Sequence, residues 1–283
     1  MTKSNLDKLS DFNKIGKLKT AGDRFIDVHC HCLFDIDDGP VTLHDSLDLC
    51  KALVEDGVTD VIATPHQLGR YGEFNDADKI RNIVTELNKE LASNNVNLNV
   101  LPGADVRVDE RICRLIEADK ILTLADNGRY ILLELPHEIF INIEPLIVDL
   151  SSLDIQVIIS HPERHRVIAR KPEVLFGWLE KSAHLQITAA SLLGDFGSTA
   201  QKAAWQLMSM GMVCLVATDS HDISGRRPRM KNAFDSIVAK LGEEIARLVC
   251  KENPLRILEG KDMLSARSVE IRRLISERVP SRF

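Results

Sequence analysis

The sequence predicts an α/β protein built as one distorted, TIM-like (β/α)7 barrel, a single domain with extra helical segments at its ends. Three observations carry that reading. Short apolar, β-branched runs alternate with helix-period stretches seven times over, and no Gly/Ser/Pro linker separates them. The runs are apolar on both faces, as in a parallel sheet covered by helices. Histidine, aspartate or glutamate stands just after nearly every run. A barrel gathers its site from the C-terminal ends of all its strands, whereas an open sheet uses fewer and usually carries a glycine-rich phosphate loop. Neither Gly-x-Gly-x-x-Gly nor Gly-x-x-x-x-Gly-Lys occurs in the 283 residues.

Residues 1–22 are polar and lysine-rich, with Leu6, Leu9, Phe12, Ile15 and Leu18 about every third position. They form an N-terminal extension, either an amphipathic helix lying on the body or a frayed tail. The barrel occupies 23–263. Its first strand is Phe25-Ile26-Asp27-Val28, and it runs into His29-Cys30-His31. Side chains at i and i+2 share a strand face, so His29 and His31 point one way and Cys30 and Cys32 the other. A loop closed by Gly39-Pro40 leads to a helix with Leu43, Leu47, Leu49 and Leu53 on its apolar face and Gly57 as its stop. The next strand, Val58 to Ala63, ends in Thr64-Pro65-His66. A helix over 76–93, a strand from Leu98 to Leu101 ending in Gly103-Ala104-Asp105, a short helix over 109–118 and the strand Tyr130 to Glu134 follow.

The second half repeats the pattern. A helix over 143–153 precedes the strand Gln156 to Ile159, which ends in Ser160-His161-Pro162-Glu163-Arg164. A helix over 172–182 precedes a strand through Leu185 to Thr188. A helix over 198–210 precedes Val213 to Ala217, which leads to Asp219-Ser220-His221. Helices over 229–240 and 243–251 close the body, and Asn253-Pro254 opens a further turn. Residues 264–283 hold five arginines against two glutamates and form a basic tail.

A net charge of −6 gives no general attraction to nucleic acid or anionic membrane. The six cysteines include no Cys-x-x-Cys pair and several lie in apolar runs, which fits buried, reduced thiols of a cytoplasmic protein. No apolar stretch reaches membrane-spanning length, and the first 20 residues lack the apolar core of a signal peptide. The expectation is a cytoplasmic protein with no membrane insertion and no nucleic-acid partner; the oligomeric state is left open.

The residues just after the strands are His29, His31, Asp38, His66, Asp105, Glu134, His161, Asp219 and His221. Taken singly, each has a plainer role. Asp38 suits a helix cap near Thr42, His66 a loop, Glu134 a buried pair with an arginine, and His161 a satisfied core position. Taken together, nine nitrogen and carboxylate donors suit two or three divalent ions sharing bridging carboxylates. Such clusters acidify a water and bind the oxygens of a tetrahedral ester, which is the chemistry of phosphate-ester hydrolysis. Arg164, three residues after His161, and Arg226, five after His221, offer forks for phosphate oxygens; a surface salt bridge is the plainer role for either.

From Asp27 to Leu258 the chain resembles the polymerase-and-histidinol-phosphatase superfamily. Within it, the resemblance is to the bacterial manganese-dependent protein-tyrosine phosphatases of capsule and exopolysaccharide operons. The motifs that carry it are Asp27-Val28-His29-Cys30-His31, Phe34-Asp35-Ile36-Asp37-Asp38-Gly39-Pro40, Ala63-Thr64-Pro65-His66, Pro102-Gly103-Ala104-Asp105, Leu133-Glu134-Leu135, Ser160-His161-Pro162-Glu163-Arg164 and Ala217-Thr218-Asp219-Ser220-His221. The Asp-Asp-Gly-Pro element discriminates most, since histidinol phosphatases usually carry a histidine-containing loop there.

The resemblance implies three divalent ions, manganese with iron or zinc as alternatives. The first would take His29, His31, Asp105 and Asp219. The second would share Asp105 and add Glu134 and His161, and the third would take Asp38, His66 and His221. Arg164 and Arg226 match the family's phosphate-holding arginines. A metal-bridging hydroxide would attack phosphorus directly, with no cysteinyl-phosphate, and the substrate would be a phosphotyrosine protein, a bacterial tyrosine autokinase tail. One position departs from the family: the bridging residue is commonly Glu and here is Asp105.

Two other readings compete. One is a small-molecule phosphatase of the histidinol-phosphatase kind, or a phosphodiesterase, on the same scaffold. The other is a metal-binding regulatory protein without turnover, which requires lost ligands where none is missing.

Overall fold

Strand β1 (Phe25–Cys30) carries the apolar inner positions Ile26 and Val28, and its ladder against β2 (Val58–Ala63) slips between Asp27 and Cys30. The slip restarts the alternation of side chains, a common device beside active sites. His29 and His31 therefore turn toward one end of the sheet, while Cys30 and Cys32 join the outer core, as the i, i+2 spacing predicts.

In the computed structural model, which describes residues 24–71 and 75–265, every strand pairing is parallel. The further strands are β3 (His66–Gln67), β4 (Asn99–Pro102), β5 (Asp105–Arg107), β6 (Tyr130–Glu134), β7 (Gln156–Ser160), β8 (His184–Thr188) and β9 (Val213–Ala217). They form two sheets, ordered β1-β2-β4 and β3-β5-β6-β7-β8-β9, not one continuous ring. The predicted strands Val58 to Ala63 and Leu98 to Leu101 stand as β2 and β4, and each is followed by a short strand that was not predicted, β3 and β5. Thr64-Pro65 separates β2 from β3, and Gly103-Ala104 separates β4 from β5. Pro65 cannot donate to a ladder, and a side chain at Gly103 would strike Ile62. Both interruptions fall beside a site residue, His66 or Asp105.

At the same end of the sheets β1 and β9 meet. The N–H of Asp219 donates to the carbonyl of His29 (2.7 Å) and that of His31 to the carbonyl of Ser220 (2.9 Å). Asp27, fully buried, accepts from the backbone N–H of Thr218 (3.0 Å) and from its hydroxyl. Inside, Ile26, Val28, Tyr130, Leu132, Ile158 and Leu215 pack together, and the helices cover the opposite faces of the strands.

The helices lie close to the predicted spans. Leu43–Glu55 begins at Thr42, whose hydroxyl caps Asp45 while Asp45 caps Thr42 in return. Asp38 is thus not the cap, and its plainer role falls away. Gly57, at φ +91°, supplies the left-handed turn after the helix. The helix expected over 172–182 is a 3-10 turn, Pro172–Leu175, followed by the short helix Phe176–Glu180. The one over 243–251 is Glu243–Arg247 followed by a wider turn, Leu248–Glu252, ahead of Pro254. The five-residue helix Ala189–Leu193 was not predicted, being too short to show a period. The N-terminal extension, read as a helix or a frayed tail, and all but Leu264 and Ser265 of the basic tail lie outside the described residues. Among the described residues, no helix is long and apolar enough to cross a membrane.

Candidate metal centre

The nine predicted donors come from β1 and the loop after it, the first residues of β3 and β5, the last residue of β6 and the residues that follow β7 and β9, and the fold brings all of them to one face. His161 (φ +35°) and Asp219 (φ +52°) hold left-handed backbone immediately after β7 and β9. Such conformations cost energy in non-glycine residues and recur where a side chain must be aimed.

The donor atoms fall into overlapping groups. His29, His31 and Asp219 form one, with His29 Nε2 3.3 Å and His31 Nε2 3.5 Å from Asp219 Oδ1. His29, Asp105 and His161 form a second, with the imidazoles 3.7 and 3.9 Å from Asp105 Oδ2. His31, Asp38, His66 and His221 form a third, in which Asp38 Oδ1 lies 3.5 Å from His66 and 3.3 Å from His221. His66, Asp105 and Glu134 form a fourth, and Glu134, His137 and His161 a fifth. His29, His31, His66, Asp105, Glu134 and His161 therefore each belong to two groups. Two ligands about 2.1 Å from one ion stand roughly 3.0–3.4 Å apart, so these spacings suit atoms arranged around ions better than atoms bonded to each other.

The imidazoles are pre-aimed. His29 donates its Nδ1–H to Gln186 Oε1 (2.8 Å), His31 to Asp37 Oδ2 (2.7 Å) and His221 to the carbonyl of Asp219 (3.0 Å). In each the Nε2 lone pair is left facing the carboxylates, the arrangement that sets tautomer and direction in metal-binding histidines. Burial pushes the His29 imidazole down to about 4 and holds His31 and His161 well below the usual histidine range. They are neutral, as ligands must be.

The acids are strained electrostatically. Burial, then the nearby Glu134 and Asp219 carboxylates, pushes Asp105 well above the usual range. Burial also acts upward on Asp219, but Arg164, His29 and Arg226 together outweigh it and hold that carboxyl low. Both oxygens of Asp105, Oδ1 of Asp219 and Nε2 of His221 are buried without a hydrogen-bond partner. Orphaned buried acceptors are costly, and here several converge. A set of imidazoles and carboxylates with unspent lone pairs fits divalent cations.

Arg164 and Arg226 both donate through Nη2 to Asp219 Oδ2, at 2.5 and 2.7 Å. Each keeps a buried, unpartnered Nε–H. The salt-bridge role is therefore real for both, but it leaves donors over. Glu134 likewise has the arginine that its plainer role requires, Arg107 at 3.0 Å, while lying within the acid–histidine groups.

Three contributors were not predicted. Asp37 orients His31, Gln186 orients His29, and His137 joins Glu134 and His161 at the rim. Gln186 had a signal, a lone amide inside an apolar strand, and Asp37 stood next to a predicted ligand. Cys250 and Arg256 have the Cys-x5-Arg spacing of thiol phosphatases. They do not form such a loop: Cys250 is fully buried in the outer core, and burial pushes its thiol far up. A cysteine nucleophile needs a thiolate.

A family described as capsular polysaccharide synthesis, CpsB/CapC, matches residues 25–259. The putative tyrosine-protein phosphatase CapC of Staphylococcus aureus is 34% identical over 212 residues, covering 74% of this chain and 82% of that protein. The tyrosine-protein phosphatase YwqE of Bacillus subtilis is 32% identical over 232 residues, covering 81% and 90%. A solved structure from the pair YwqE of Bacillus subtilis and CpsB of Streptococcus pneumoniae, unique metal-dependent tyrosine phosphatases, matches with a TM-score of 0.81 at 31% identity over 85% of this chain and 96% of that one. The phosphotriesterase homology protein of Escherichia coli, at 11% identity and a TM-score of 0.53, shares the fold alone.

Proposed function

This chain belongs to the CpsB/CapC family of capsular polysaccharide synthesis, and from that premise we propose that it is a metal-dependent protein-tyrosine phosphatase whose centre is the strand-end cluster. The observation that carries the proposal is the convergence of orphaned Asp105, Asp219 and His221 donor atoms with the spare N–H groups of Arg164 and Arg226. Unpaired acceptors call for cations, and unpaired guanidinium donors beside them call for an oxyanion.

On this reading there are three ions, manganese with iron or zinc as alternatives. His29, His31, Asp105 and Asp219 hold one, Asp105, Glu134 and His161 a second, and Asp38, His66 and His221 a third. Two of the groups support the first and third sets, holding His29, His31 and Asp219 together and Asp38, His66 and His221 together, while Asp105 meets His161 in one group and Glu134 in another. When bound, the ions would supply positive charge for phosphate oxygens and a water acidic enough to act as nucleophile near neutral pH.

The chain's own groups do the rest. Asp219 Oδ2 fixes both guanidinium groups, so their remaining N–H donors are oriented before substrate arrives. Those donors bind the equatorial oxygens of the phosphoryl group, where charge gathers as the ester breaks. Gln186 and Asp37 keep His29 and His31 in the tautomer that leaves Nε2 free.

The substrate is then a phosphotyrosine protein, the tail of a bacterial tyrosine kinase, and the setting is the cytoplasm, consistent with six free cysteines. Residues 23–263 form the catalytic unit, with 1–22 and 264–283 as appendages. Its nine strand segments are read as a distorted seven-stranded barrel, with β2–β3 and β4–β5 as two kinked strands.

The test is turnover by purified protein of p-nitrophenyl phosphate, a phosphotyrosine peptide, histidinol phosphate and a dinucleotide, before and after chelation and after adding manganese. Chelation abolishes peptide hydrolysis and manganese restores it, while native thiol alkylation has little effect. Activity persisting in metal-stripped protein, or a clear preference for histidinol phosphate or the dinucleotide, overturns the proposal.

A further inference from the structure

The chain is acidic overall, with a net charge of −6, yet the face beside Arg164 is basic. After β7 the backbone turns through residues 165–171 and presents Arg166, Arg170 and Lys171, all exposed. The turn is anchored from beneath. Buried His165 accepts the N–H of Val167 on Nδ1 (3.1 Å) and donates through Nε2 to the carbonyl of Ile139 (3.2 Å). The N–H of Arg166 donates to the carbonyl of His137 (3.0 Å). These arginines stand on a fixed support, which reduces the ordering cost of a ligand contact.

Two adjoining cavities of about 390 and 310 Å³ share Arg166 and Arg170. The larger one reaches Arg164 and His137, so it opens directly onto the candidate centre. Its floor includes Phe196, on which the Arg164 guanidinium lies at 4.6 Å. The smaller continues outward to Lys171. Two acids border this groove. Glu163 is fully buried, its Oε1 taken by the Thr188 N–H and the Ser191 hydroxyl. Glu138 meets Arg166 at 3.2 Å, but the two side chains are 71% and 62% exposed. A pair that open to water is worth little and exchanges readily for an incoming carboxylate.

We propose that this groove, from Arg164 past Arg166 and Arg170 to Lys171, binds carboxylate side chains that flank the phosphotyrosine of the substrate polypeptide. The inference rests on the phosphatase reading above. A guanidinium fork accepts a carboxylate in two parallel hydrogen bonds, and an extended peptide shows every second side chain to the same wall. With the phosphate held at Arg164, acidic residues two and four positions along face the exposed cations. Exposed complementary charge acts mainly through capture, so the effect falls in kcat/KM and fades with salt.

The experiment compares two phosphotyrosine peptides, one with glutamates and one with glutamines on both sides, against p-nitrophenyl phosphate. The unaltered protein and the Arg166→Glu/Arg170→Glu double variant are assayed at low and high salt. The expected result is a roughly tenfold preference for the acidic peptide at low salt, lost in the variant and reduced by salt, with p-nitrophenyl phosphate turnover unchanged. Equal kcat/KM for the two peptides in the unaltered protein, or a preference that survives charge reversal, overturns the groove and leaves the phosphatase reading standing. Absence of turnover on all three substrates with manganese present overturns both.

Discussion

His31 donates its Nδ1–H to Asp37 Oδ2 across 2.7 Å, and the same oxygen accepts the backbone N–H of His66 at 3.0 Å. Asp37 Oδ1 takes the N–H of Gly39 (2.9 Å), where a side chain would strike the His31 carbonyl. One carboxylate thus fixes an imidazole, the start of β3 and the Asp-Asp-Gly-Pro loop. It fills none of the nine donor positions.

Losing such a support typically costs 10- to 100-fold in metal affinity or activity. Asp37→Asn keeps the volume but weakens the charge-assisted bond, so about that loss of manganese affinity is expected, with the fold intact by circular dichroism. Unchanged affinity in a metal titration would mean that Asp37 serves the loop alone.

Arg226 is the cleaner arginine to test, because it is part-exposed and its contacts run to Asp219 and Asp38. Removing a donor aimed at transition-state charge costs roughly 10²–10³ in rate, so Arg226→Ala should lose about that much kcat on phosphotyrosine peptide while melting near the unaltered protein. Arg164→Ala should lose activity and some stability together, since its guanidinium also packs on Phe196. An Arg226→Ala variant that melts early and keeps its kcat returns the residue to the salt-bridge role.

How much of this was legible in the sequence depends on range. Strand ends and helix faces follow periods of two and 3.6, which neighbouring residues fix, so Val58 to Ala63 or Val213 to Ala217 could be placed without a structure. The donors His29, His31 and Asp219 follow from those ends. Sheet grouping depends on pairings far apart in the chain. Beyond Pro65 and Gly103 the chain adds β3 and β5, two strands too short for a period to announce, though both residues mark where a break in the ladder is tolerated. Gln186 and His29 lie 157 positions apart, and no local pattern announces that bond. Arg107 and Glu134 show the opposite limit: the plainer pairing and the site role coexist, so weighing one against the other could not decide between them.

His184 offers a pH test away from the cluster. It bonds to Gln156 Oε1 (2.8 Å), and burial pushes its imidazole from 6.5 down to about 4. Between those values the unfolded chain binds a proton that the folded chain refuses, so stability falls as pH drops from 6.5 and levels off below about 4. The penalty is on the order of 3 kcal/mol when fully developed. His184→Gln keeps a donor for Gln156 and removes the titration, so denaturation midpoints measured across that range should fall less steeply than in the unaltered protein. Parallel slopes would show that the folded protein protonates His184 normally.

Asp105 is the decisive residue for the ion assignment. Its carboxylate is fully buried and has no hydrogen-bond partner, with His29 at 3.7 Å, His66 at 3.6 Å and His161 at 3.9 Å. Those histidines come from separate strand ends, so Asp105 stands where the groups overlap. A carboxylate shared by two cations should release more metal on removal than a ligand assigned to one. Asp105→Ala is therefore expected to lower bound manganese by more than His66→Ala, both losing most turnover, as read by mass spectrometry of metal content alongside kcat. The longer acid tests the geometry separately. Asp105→Glu adds a methylene to a fully buried side chain, and overpacking costs about 1–3 kcal/mol. If the strands shift to admit it, metal content and substantial activity survive with a lowered melting temperature. Full metal occupancy in Asp105→Ala would remove the residue from the ligand set and move the bridging role to Asp219, whose Oδ1 is also unpaired.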